Sequence, residues 1–214
     1  MLVELPLPGA SVAFDSEWMS PAEAQALFAA LRRQVCWEVH RISLFGRTVD
    51  SPRLSSWIGD AGAAYRYSGT DFLPRPWPDA LHDLRQRISD VSGEAFNSVL
   101  ANLYRDGQDA MGWHSDDEPQ LGARPLIASL SLGAPRRFVL KPVGAASAAI
   151  APAHEHRLEL LLPPGSLLLM RGDTQRNYRH ALPRTARPVG ERINLTFRRI
   201  VPTGKGSAAS RLPR

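Results

Sequence analysis

The sequence predicts an α+β protein with a jelly-roll core. Two segments with helical spacing of apolar residues come first, and from Ser98 onward the chain becomes a series of short strands separated by turn residues. Many strands that follow a few helices are typical of α+β proteins, and a jelly roll is one way to arrange such strands. With 214 residues the chain is long enough for one domain with a substantial core.

The first helix is predicted at the capping box Ser20-Pro21-Ala22-Glu23, which has proline at the first helical position. Its apolar residues follow at helical spacing: Ala24, Leu27, Phe28, Leu31 and Val35. A second helix is predicted from Asp79 to Val91, followed by Gly93 as a C-terminal cap. The side chains expected to face inward from it are Leu81, Leu84, Ile88 and Val91.

The second half of the chain predicts short strands, several of them separated by turns such as Pro163-Pro164-Gly165. The predicted ranges are 98–104, 111–115, 125–132, 136–141, 157–162, 166–170 and 192–200. The Ala-rich insert 144–153 is expected to be a surface loop. The tail 202–214 is polar, basic and rich in Gly, Ser and Ala, and we expect it to be flexible.

Composition excludes several classes of protein. The hydrophobic content of 43% excludes wholesale disorder, and no segment approaches the roughly 18 consecutive apolar residues of a membrane span. Cys36 is the only cysteine, so an internal disulfide and a cysteine metal cluster are excluded. Residues 1–10 lack a cationic segment and a long apolar run, so no signal peptide is expected and the cytoplasm is the expected compartment.

The charge balance favours a polyanionic partner. Lys and Arg number 26 against 21 Asp and Glu, a net charge of +5. A basic protein suits nucleic acid as a partner. Basic soluble proteins without such a partner have the same balance, so charge alone leaves the partner open.

His114-Ser115-Asp116 supplies two candidate metal ligands. Alternate side chains of a strand share a face, so His114 and Asp116 would lie about 6.6 to 7 Å apart at their Cα atoms and could bind one ion. His180 is the candidate third ligand. Two histidines and one carboxylate form the ligand set of non-haem Fe(II) oxygenases. However, a His-x-Asp motif also occurs by chance, and a single histidine is often structural.

The segment from Arg192 to Arg198 alternates polar and apolar side chains, as a strand with one polar face does. That face could lie in water, but a solvated face is expected to mix charges, and this one carries two arginines beside Asn194 and Thr196. Arginine binds carboxylates bidentately, and 2-oxoglutarate has a carboxylate at each end. Asn102 and Tyr104 offer a second polar pair, which a half-exposed strand would also explain.

Residues from about 96 to 200 resemble the AlkB family of nucleic-acid demethylases, and within it the members that repair duplex DNA. The matching motifs keep the family's order: 102–107 (NLYRDG), 114–118 (HSDDE), 127–133 (IASLSLG), 170–175 (MRGDTQ), 180–183 (HALP) and 192–198 (RINLTFR). Trp113 departs from the family, which usually has a smaller or polar residue there. The resemblance implies a double-stranded β-helix core within a single domain over 1–201, with a nucleotide-recognition lid at about 41–69 and the catalytic core at about 96–200.

The resemblance also implies an activity. It is oxidative dealkylation of N-alkylated bases such as 1-methyladenine and 3-methylcytosine in DNA. The reaction uses bound Fe(II), consumes 2-oxoglutarate and O2, and releases succinate, CO2 and formaldehyde. The implied catalytic metal ligands are His114, Asp116 and His180. The implied co-substrate residues are Asn102, Tyr104, Arg192, Asn194, Thr196 and Arg198. An oxygenase acting on RNA, protein or a small molecule, and a non-catalytic nucleic-acid binder, are the alternatives.

The substrate side depends on segment 41–69, which is expected to form two strands joined by a loop. It interleaves aromatic and basic residues, which suits stacking on bases and pairing with phosphates, although a mixed sheet with its aromatics turned into the core has the same pattern. The residues are Arg41, Phe45, Arg47, Arg53, Trp57, Tyr65, Arg66 and Tyr67. By resemblance, Leu44-Phe45-Gly46 is a finger that enters the duplex, and Tyr67 stacks on the damaged base.

Asp117 and Glu118 follow the predicted ligand carboxylate directly. They could accept hydrogen bonds from the exocyclic amine of a methylated base, or they could form a solvated acidic turn. The expected partner is therefore a nucleic acid rather than a membrane, and the protein is expected to be a monomer.

Overall fold

The computed structural model describes residues 1–44, 47–67, 70–143 and 157–201. Its helices are α1 (Pro21–Gln34), α2 (His82–Ser92) and the short α3 (Thr174–Asn177). Its strands are β1 (Val3–Leu5), β2 (Ser11–Asp15), β3 (Glu38–Leu44), β4 (Arg47–Gly59), β5 (Tyr65–Tyr67), β6 (Thr70–Phe72), β7 (Ser98–Tyr104), β8 (Met111–His114), β9 (Ile127–Gly133), β10 (Arg136–Pro142), β11 (Leu158–Leu162), β12 (Leu167–Arg171), β13 (Tyr178–Leu182) and β14 (Arg192–Arg198). No helix in these ranges is long and apolar enough to span a bilayer.

Both predicted helices are present, with one error in their inward faces. The Ser20 side chain accepts a hydrogen bond from the Glu23 backbone N–H, so the capping box begins α1 as predicted. A 3₁₀ turn over Asp79–Leu81 precedes α2, which ends at Gly93 with φ of 75°. The prediction that Val91 faces inward is wrong, because the last turn of α2 extends past the core and leaves Val91 42% exposed.

The described strands form two main sheets of antiparallel neighbours. The large sheet has the order β1-β2-β12-β9-β14-β7-β4-β3 and the small one β11-β10-β13-β8, while β5 and β6 form a separate pair. One apolar cluster joins residues of both sheets, among them Ile127 and Leu168 from the large one and Phe138 and Leu140 from the small one. The sheets therefore face each other as in a jelly roll, which confirms the predicted fold class.

The other face of the large sheet packs against α1 and α2. Leu31 and Ile88 from the helices share a second core cluster with Leu130 and Leu195 from the sheet. Alternation along β14 sends its apolar residues to this helix side. Its polar residues must then point between the two sheets, and all seven residues of the strand are buried. The polar face of Arg192 to Arg198 is thus interior rather than solvated.

All seven strands predicted for the second half of the chain are present, with ends shifted by two residues at most. The sequence missed β1, β2, β6 and β13, and it predicted two strands in segment 41–69, where the structure has parts or all of three, β3, β4 and β5. The strand β13 matters because it carries His180. In segment 41–69, Arg53 and Trp57 are 5% and 3% exposed. These two side chains therefore lie in the interior, as expected for a sheet that turns its aromatics into the core. Phe45, the insert 144–153 and the tail 202–214 lie outside the described residues.

Candidate metal and co-substrate site

The three predicted metal ligands lie together at the inner face of the small sheet. His114 on β8 and His180 on β13 are directly opposite each other in the strand register, with ring centroids 4.2 Å apart. The Oδ2 atom of Asp116 is 3.7 Å from Nε2 of His180. One ligand atom from each of the three residues lies within 4.8 Å of the other two, so the group could hold a metal ion.

Asp116 reaches this position by a different route from the one predicted. The strand β8 ends at His114, so the prediction that His114 and Asp116 alternate on one strand is wrong. Beyond the end of β8, the Ser115 hydroxyl donates to the Tyr178 carbonyl at 3.0 Å and the Asp116 N–H donates to Oε1 of Gln175 at 3.0 Å. Side chains, rather than strand pairing, therefore hold Asp116 in place.

The carboxyl of Asp116 is a buried anion. Burial alone would raise its pKa, but the guanidinium of Arg198, whose Nη2 donates to Oδ1 at 2.6 Å, and the two histidines lower that pKa to about 2. The other oxygen, Oδ2, is buried and has no hydrogen-bond partner among the described residues. A buried carboxylate oxygen without a partner is costly, and a bound cation would satisfy it.

The two histidines are suited to bind a cation as neutral ligands. Burial, helped by the charge of His114, lowers the pKa of His180 to about 3, and burial also lowers the pKa of the half-buried His114. Nδ1 of His114 is 2.8 Å from the Gly112 carbonyl. A proton on Nδ1 makes this a hydrogen bond and leaves Nε2 with its lone pair for the metal. Two neutral imidazoles and an ionised carboxylate fit a divalent iron.

The polar face of β14 and its neighbours line the same cavity as the three ligands. The cavity lining includes all six predicted co-substrate residues: Asn102, Tyr104, Arg192, Asn194, Thr196 and Arg198. Strand register explains this, since Arg192 lies opposite Tyr104 and Asn194 opposite Asn102 across the β14–β7 pair. The structure therefore brings together residues that are about 90 positions apart in the chain.

Arg192 is the principal candidate anion-binding group. Its Nη2 donates to Oγ of Ser131 at 2.9 Å and to Oδ1 of Asn194 at 2.7 Å, whereas its buried Nε and Nη1 have no hydrogen-bond partner within the described ranges. Burial lowers the pKa of Arg192 to about 10, partly offset by Tyr104, so the side chain stays charged at neutral pH. Two unpaired N–H groups on a buried cation suit a carboxylate ligand.

Hydrogen bonds fix the remaining amides of this cavity. Asn194 donates from Nδ2 to Oγ1 of Thr196 at 2.8 Å, and Ser129 donates to Oδ1 of Asn194 at 3.1 Å. Nε of Arg53 donates to Oδ1 of Asn102 at 2.9 Å. Since Oδ1 of Asn102 already accepts from Arg53, its Nδ2 donor is the atom available to an anion in the cavity.

Comparison with known proteins agrees with this site. The model of the 2OG-Fe(II) oxygenase superfamily matches residues 12–198. The DNA oxidative demethylase ALKBH2 of Bos taurus is 40% identical over 191 residues, which cover 86% of this chain and 67% of that protein. The alpha-ketoglutarate-dependent dioxygenase alkB homolog 3 of Bos taurus is 38% identical over 186 residues, which cover 86% of this chain and 64% of that protein.

The chain belongs to the AlkB family of 2OG-Fe(II) oxygenases. It spans about two thirds of the length of these two curated relatives. The solved structure of OsALKBH1 superposes with a TM-score of 0.58 at 14% identity, covering 93% of this chain and 100% of that one, and so shows the same fold. The superfamily's cofactors are Fe(II) and the co-substrates 2-oxoglutarate and O2.

The two acids predicted to contact the substrate are not among the described residues that line the cavity of this AlkB-family site. Asp117 is exposed and Glu118 half-buried, at the turn that follows Asp116. The backbones of Tyr65 and Tyr67 lie in β5, which pairs with β6. These positions therefore keep their predicted roles as hypotheses.

Sequence reasoning missed several residues that support the site. On β9, Ser129 donates to Asn194 and Ser131 accepts from Arg192. Their spacing of two on an otherwise apolar strand indicates that both side chains lie on one face of the strand, and could have identified them. The sequence allows Arg53 either a phosphate contact or a place in a mixed sheet, and in the structure its Nε donates to Oδ1 of Asn102. Gln175 contacts Asp116 over 59 positions, and nothing local in the sequence indicates that contact.

Replacement of Arg198 by Met tests the electrostatics of the buried carboxylate. The variant leaves Asp116 as a buried charge without its cation, which typically costs about 3 to 5 kcal/mol. The depressed pKa of Asp116, about 2 against 3.8, contributes stability at neutral pH that is lost between about pH 4 and pH 2. The difference between wild type and variant should therefore be largest near neutral pH and shrink in acid, as measured by urea unfolding of the metal-free protein.

Arg199→Met is the matched control for this measurement. Arg199 pairs with Glu94 at the surface, with side chains 61% and 31% exposed. Exposed pairs contribute about 1 kcal/mol or less. Equal losses of stability in Arg198→Met and Arg199→Met would contradict the buried-pair interpretation.

Proposed function

We propose that this AlkB-family oxygenase removes N-alkyl groups from bases such as 1-methyladenine and 3-methylcytosine in DNA, and so repairs alkylation damage. The observation that carries the proposal is one cavity that joins the His114, Asp116 and His180 cluster to the cationic face of β14. The relatives called DNA oxidative demethylase ALKBH2, at about 40% identity, support DNA as the substrate.

In this proposal His114, Asp116 and His180 hold Fe(II). The orphaned Oδ2 of Asp116 and the neutral imidazoles fit such an ion. When bound, iron with 2-oxoglutarate and O2 supplies the oxidation that converts a substrate C–H bond into C–OH, with succinate and CO2 as co-products. Arg198 keeps the Asp116 carboxylate ionised and oriented, so that it stays a ligand rather than a protonated acid.

The β14 face binds 2-oxoglutarate. Arg192 presents its unpaired Nε and Nη1 to the distal carboxylate, with Tyr104 and Asn194 beside it. Asn102 and Arg198 lie toward the iron-bound end. Thr196 acts mainly by accepting the Asn194 amide hydrogen bond, which holds that side chain in position.

The chain's remaining task is to hold the alkylated base and keep water out. Apolar side chains share the cavity wall with the polar residues: Met111, Phe138, Met170 and Leu182. The hydroxylated N-methyl group loses its O–H proton to water as its N–C bond breaks. The carbon then leaves as formaldehyde, and the bonding electron pair returns to the base nitrogen. Asp117 and Glu118 follow the ligand turn and are suited to accept hydrogen bonds from the exocyclic amine of a cationic base.

Segment 41–69 serves as the nucleotide-recognition lid. In this role Phe45 is the tip of a finger that fills the gap left by a flipped base, and Tyr67, with Tyr65 near it, stacks on that base. The support is the interleaving of aromatic and basic residues in the sequence and the family resemblance. The enzyme is proposed to act as a cytoplasmic monomer, which gel filtration with light scattering and cell fractionation would test.

Replacement of Asp116 by Ala should abolish demethylation and leave the fold intact, because the ion loses its one anionic ligand. The assay is mass spectrometry of oligonucleotides that carry 1-methyladenine or 3-methylcytosine after incubation with iron, 2-oxoglutarate and ascorbate. Asp90→Ala, an exposed acid on α2, is the control and should keep full activity. Full turnover by Asp116→Ala would rule out the metal site as drawn. Succinate release by wild type without base repair would favour another substrate class.

Replacement of Arg192 by Ala should raise the 2-oxoglutarate concentration needed for half-maximal rate by about tenfold or more. Loss of one partner of a buried charge pair costs about 2 to 5 kcal/mol, and roughly 1.4 kcal/mol corresponds to tenfold. The control is Arg187→Ala, an exposed arginine in the loop before β14, which should leave the titration unchanged. An unchanged 2-oxoglutarate titration for Arg192→Ala would refute the assignment.

The lid assignment predicts that Phe45 and Tyr67 differ in the substrates they affect. Phe45→Ala should reduce repair of duplex DNA and spare single strands, because no partner stack has to be opened in a single strand. Tyr67→Ala should weaken both, since loss of base stacking costs about 1 to 3 kcal/mol. Rates on matched single-stranded and duplex oligonucleotides measure this. Equal losses on both substrates for Phe45→Ala would instead identify Phe45 as a core residue.

A further inference from the structure

The motif at 170–175 enters the mechanism proposed above only through Met170, in the cavity wall. It spans the end of β12 and the start of α3, and its last residue, Gln175, is 3% exposed. Glutamine is mostly found at protein surfaces. A fully buried glutamine needs polar partners, and the partners of Gln175 lead directly to the candidate metal site.

Gln175 bonds to the backbone of Asp116. Its Oε1 accepts the Asp116 N–H at 3.0 Å. Asp116 lies two residues beyond the end of β8, so no neighbouring strand supplies an acceptor for that N–H. A buried N–H without an acceptor is strongly disfavoured, and the Gln175 oxygen therefore fixes the main chain at the point from which the carboxylate projects.

The orientation of the Gln175 amide is determined by its surroundings. Its Nε2 faces the Met170 sulfur at 3.7 Å, and a thioether is a weak acceptor. The reversed amide would place an NH₂ group against the Asp116 N–H, two donors facing each other. Oε1 is therefore the Gln175 atom that accepts the Asp116 N–H.

The element that carries Gln175 is itself anchored. Oγ1 of Thr174 accepts the Ser11 N–H at 3.0 Å, which ties α3 to β2 in the large sheet. Asn177, at the other end of α3, donates to the Gly9 carbonyl at 2.7 Å. Gln175 therefore projects from a short helix held at both ends.

We infer that Gln175 is a positioning residue of the metal centre, which holds Asp116 in place for the ion through the Asp116 N–H. The inference rests on the proposed role of Asp116 as a metal ligand. Arg198 binds Oδ1 and Gln175 binds the backbone, so that Oδ2 is the carboxylate oxygen left to face His180. Residues that orient ligands in this way commonly change metal affinity by about 10- to 100-fold when replaced.

The test is calorimetric titration of the metal-free full chain with Mn(II), a redox-stable probe. Gln175→Leu removes the acceptor and should weaken Mn(II) binding by about tenfold or more. Gln175→Glu keeps an oxygen acceptor at the same reach and should restore binding to near the wild-type value. Gln86→Leu makes the same chemical change on α2, where the side chain bonds to Asp90, and should leave Mn(II) binding unchanged.

The visible absorption of bound Co(II) gives a second readout that a general loss of stability would not move. The Co(II) spectrum of Gln175→Leu should differ from that of wild type, whereas the spectrum of Gln175→Glu should match it. Wild-type affinity and spectrum in folded Gln175→Leu would overturn the inference, as would equal losses in the Leu and Glu variants. If Gln175→Leu does not fold, Gln175→Asn, which keeps the amide but shortens it by one methylene, takes its place with the same expectation.

Asp116→Ala separates this inference from the function on which it rests. Loss of Mn(II) binding in Asp116→Ala together with intact binding in Gln175→Leu overturns the role of Gln175 alone. Wild-type binding in Asp116→Ala overturns the metal site itself. Loss in both, with rescue by Gln175→Glu, supports the positioning role.

Discussion

A buried ion pair between Arg198 and Asp116 joins the two sheets of this protein at its candidate reaction centre. Arg198 ends β14 in the large sheet, and Asp116 follows β8 of the small sheet. Both side chains are almost completely buried, 4% and 2% exposed, and the pair keeps the pKa of the carboxyl near 2 despite burial. Without that cation, burial would favour the protonated acid, and the site would lose its one anionic ligand. The metal ligand set therefore depends on a residue of the opposite sheet.

Several further arginines are buried in the same interior. Arg53 and Arg136 are 5% and 2% exposed, and the hydrogen bonds seen for them go to amide and carbonyl oxygens: Asn102, Ala110, Asp106, Asp109 and Pro183. Arg192 adds a third cation bonded to a hydroxyl and an amide. Buried cationic groups without a partner are costly. Arg192 lines the cavity, and its Nε and Nη1 have no hydrogen-bond partner among the described residues, so the cavity is suited to take up an anion. In the proposed function, a dicarboxylate co-substrate would supply that negative charge.

The parts of this design that the sequence could predict are those set by local periodicity. Alternation along Arg192 to Arg198 predicted both the strand and its shared polar face, because a period of two is a property of the strand itself. The capping box at Ser20 predicted the start of α1 because a helix cap is also set by a few neighbouring residues. The position of Asp116 was predicted on the wrong element, since it depends on Gln175, a contact 59 residues distant. The strand that carries His180 was missed because Arg179 and His180 interrupt the apolar pattern that marks a buried strand.

The interior position of Arg53 also changes how the substrate segment is interpreted. The sequence of residues 41–69 allows two interpretations, a surface that binds bases and phosphates or a mixed sheet with its aromatics in the core. Nε of Arg53 donates to Asn102 in the candidate co-substrate cavity, and the Trp57 ring is buried, with its Nε1 bonded to the Ala63 carbonyl at 2.8 Å, so the interior interpretation holds for these two residues. β4 pairs with β7 from Leu54 to Gly59, which draws this half of the strand into the large sheet. One half of β4 thus belongs to the catalytic core. In the proposed function, recognition of the alkylated base falls to the rest of the segment, so substrate choice could vary there without disturbing the buried charges proposed to bind the co-substrate.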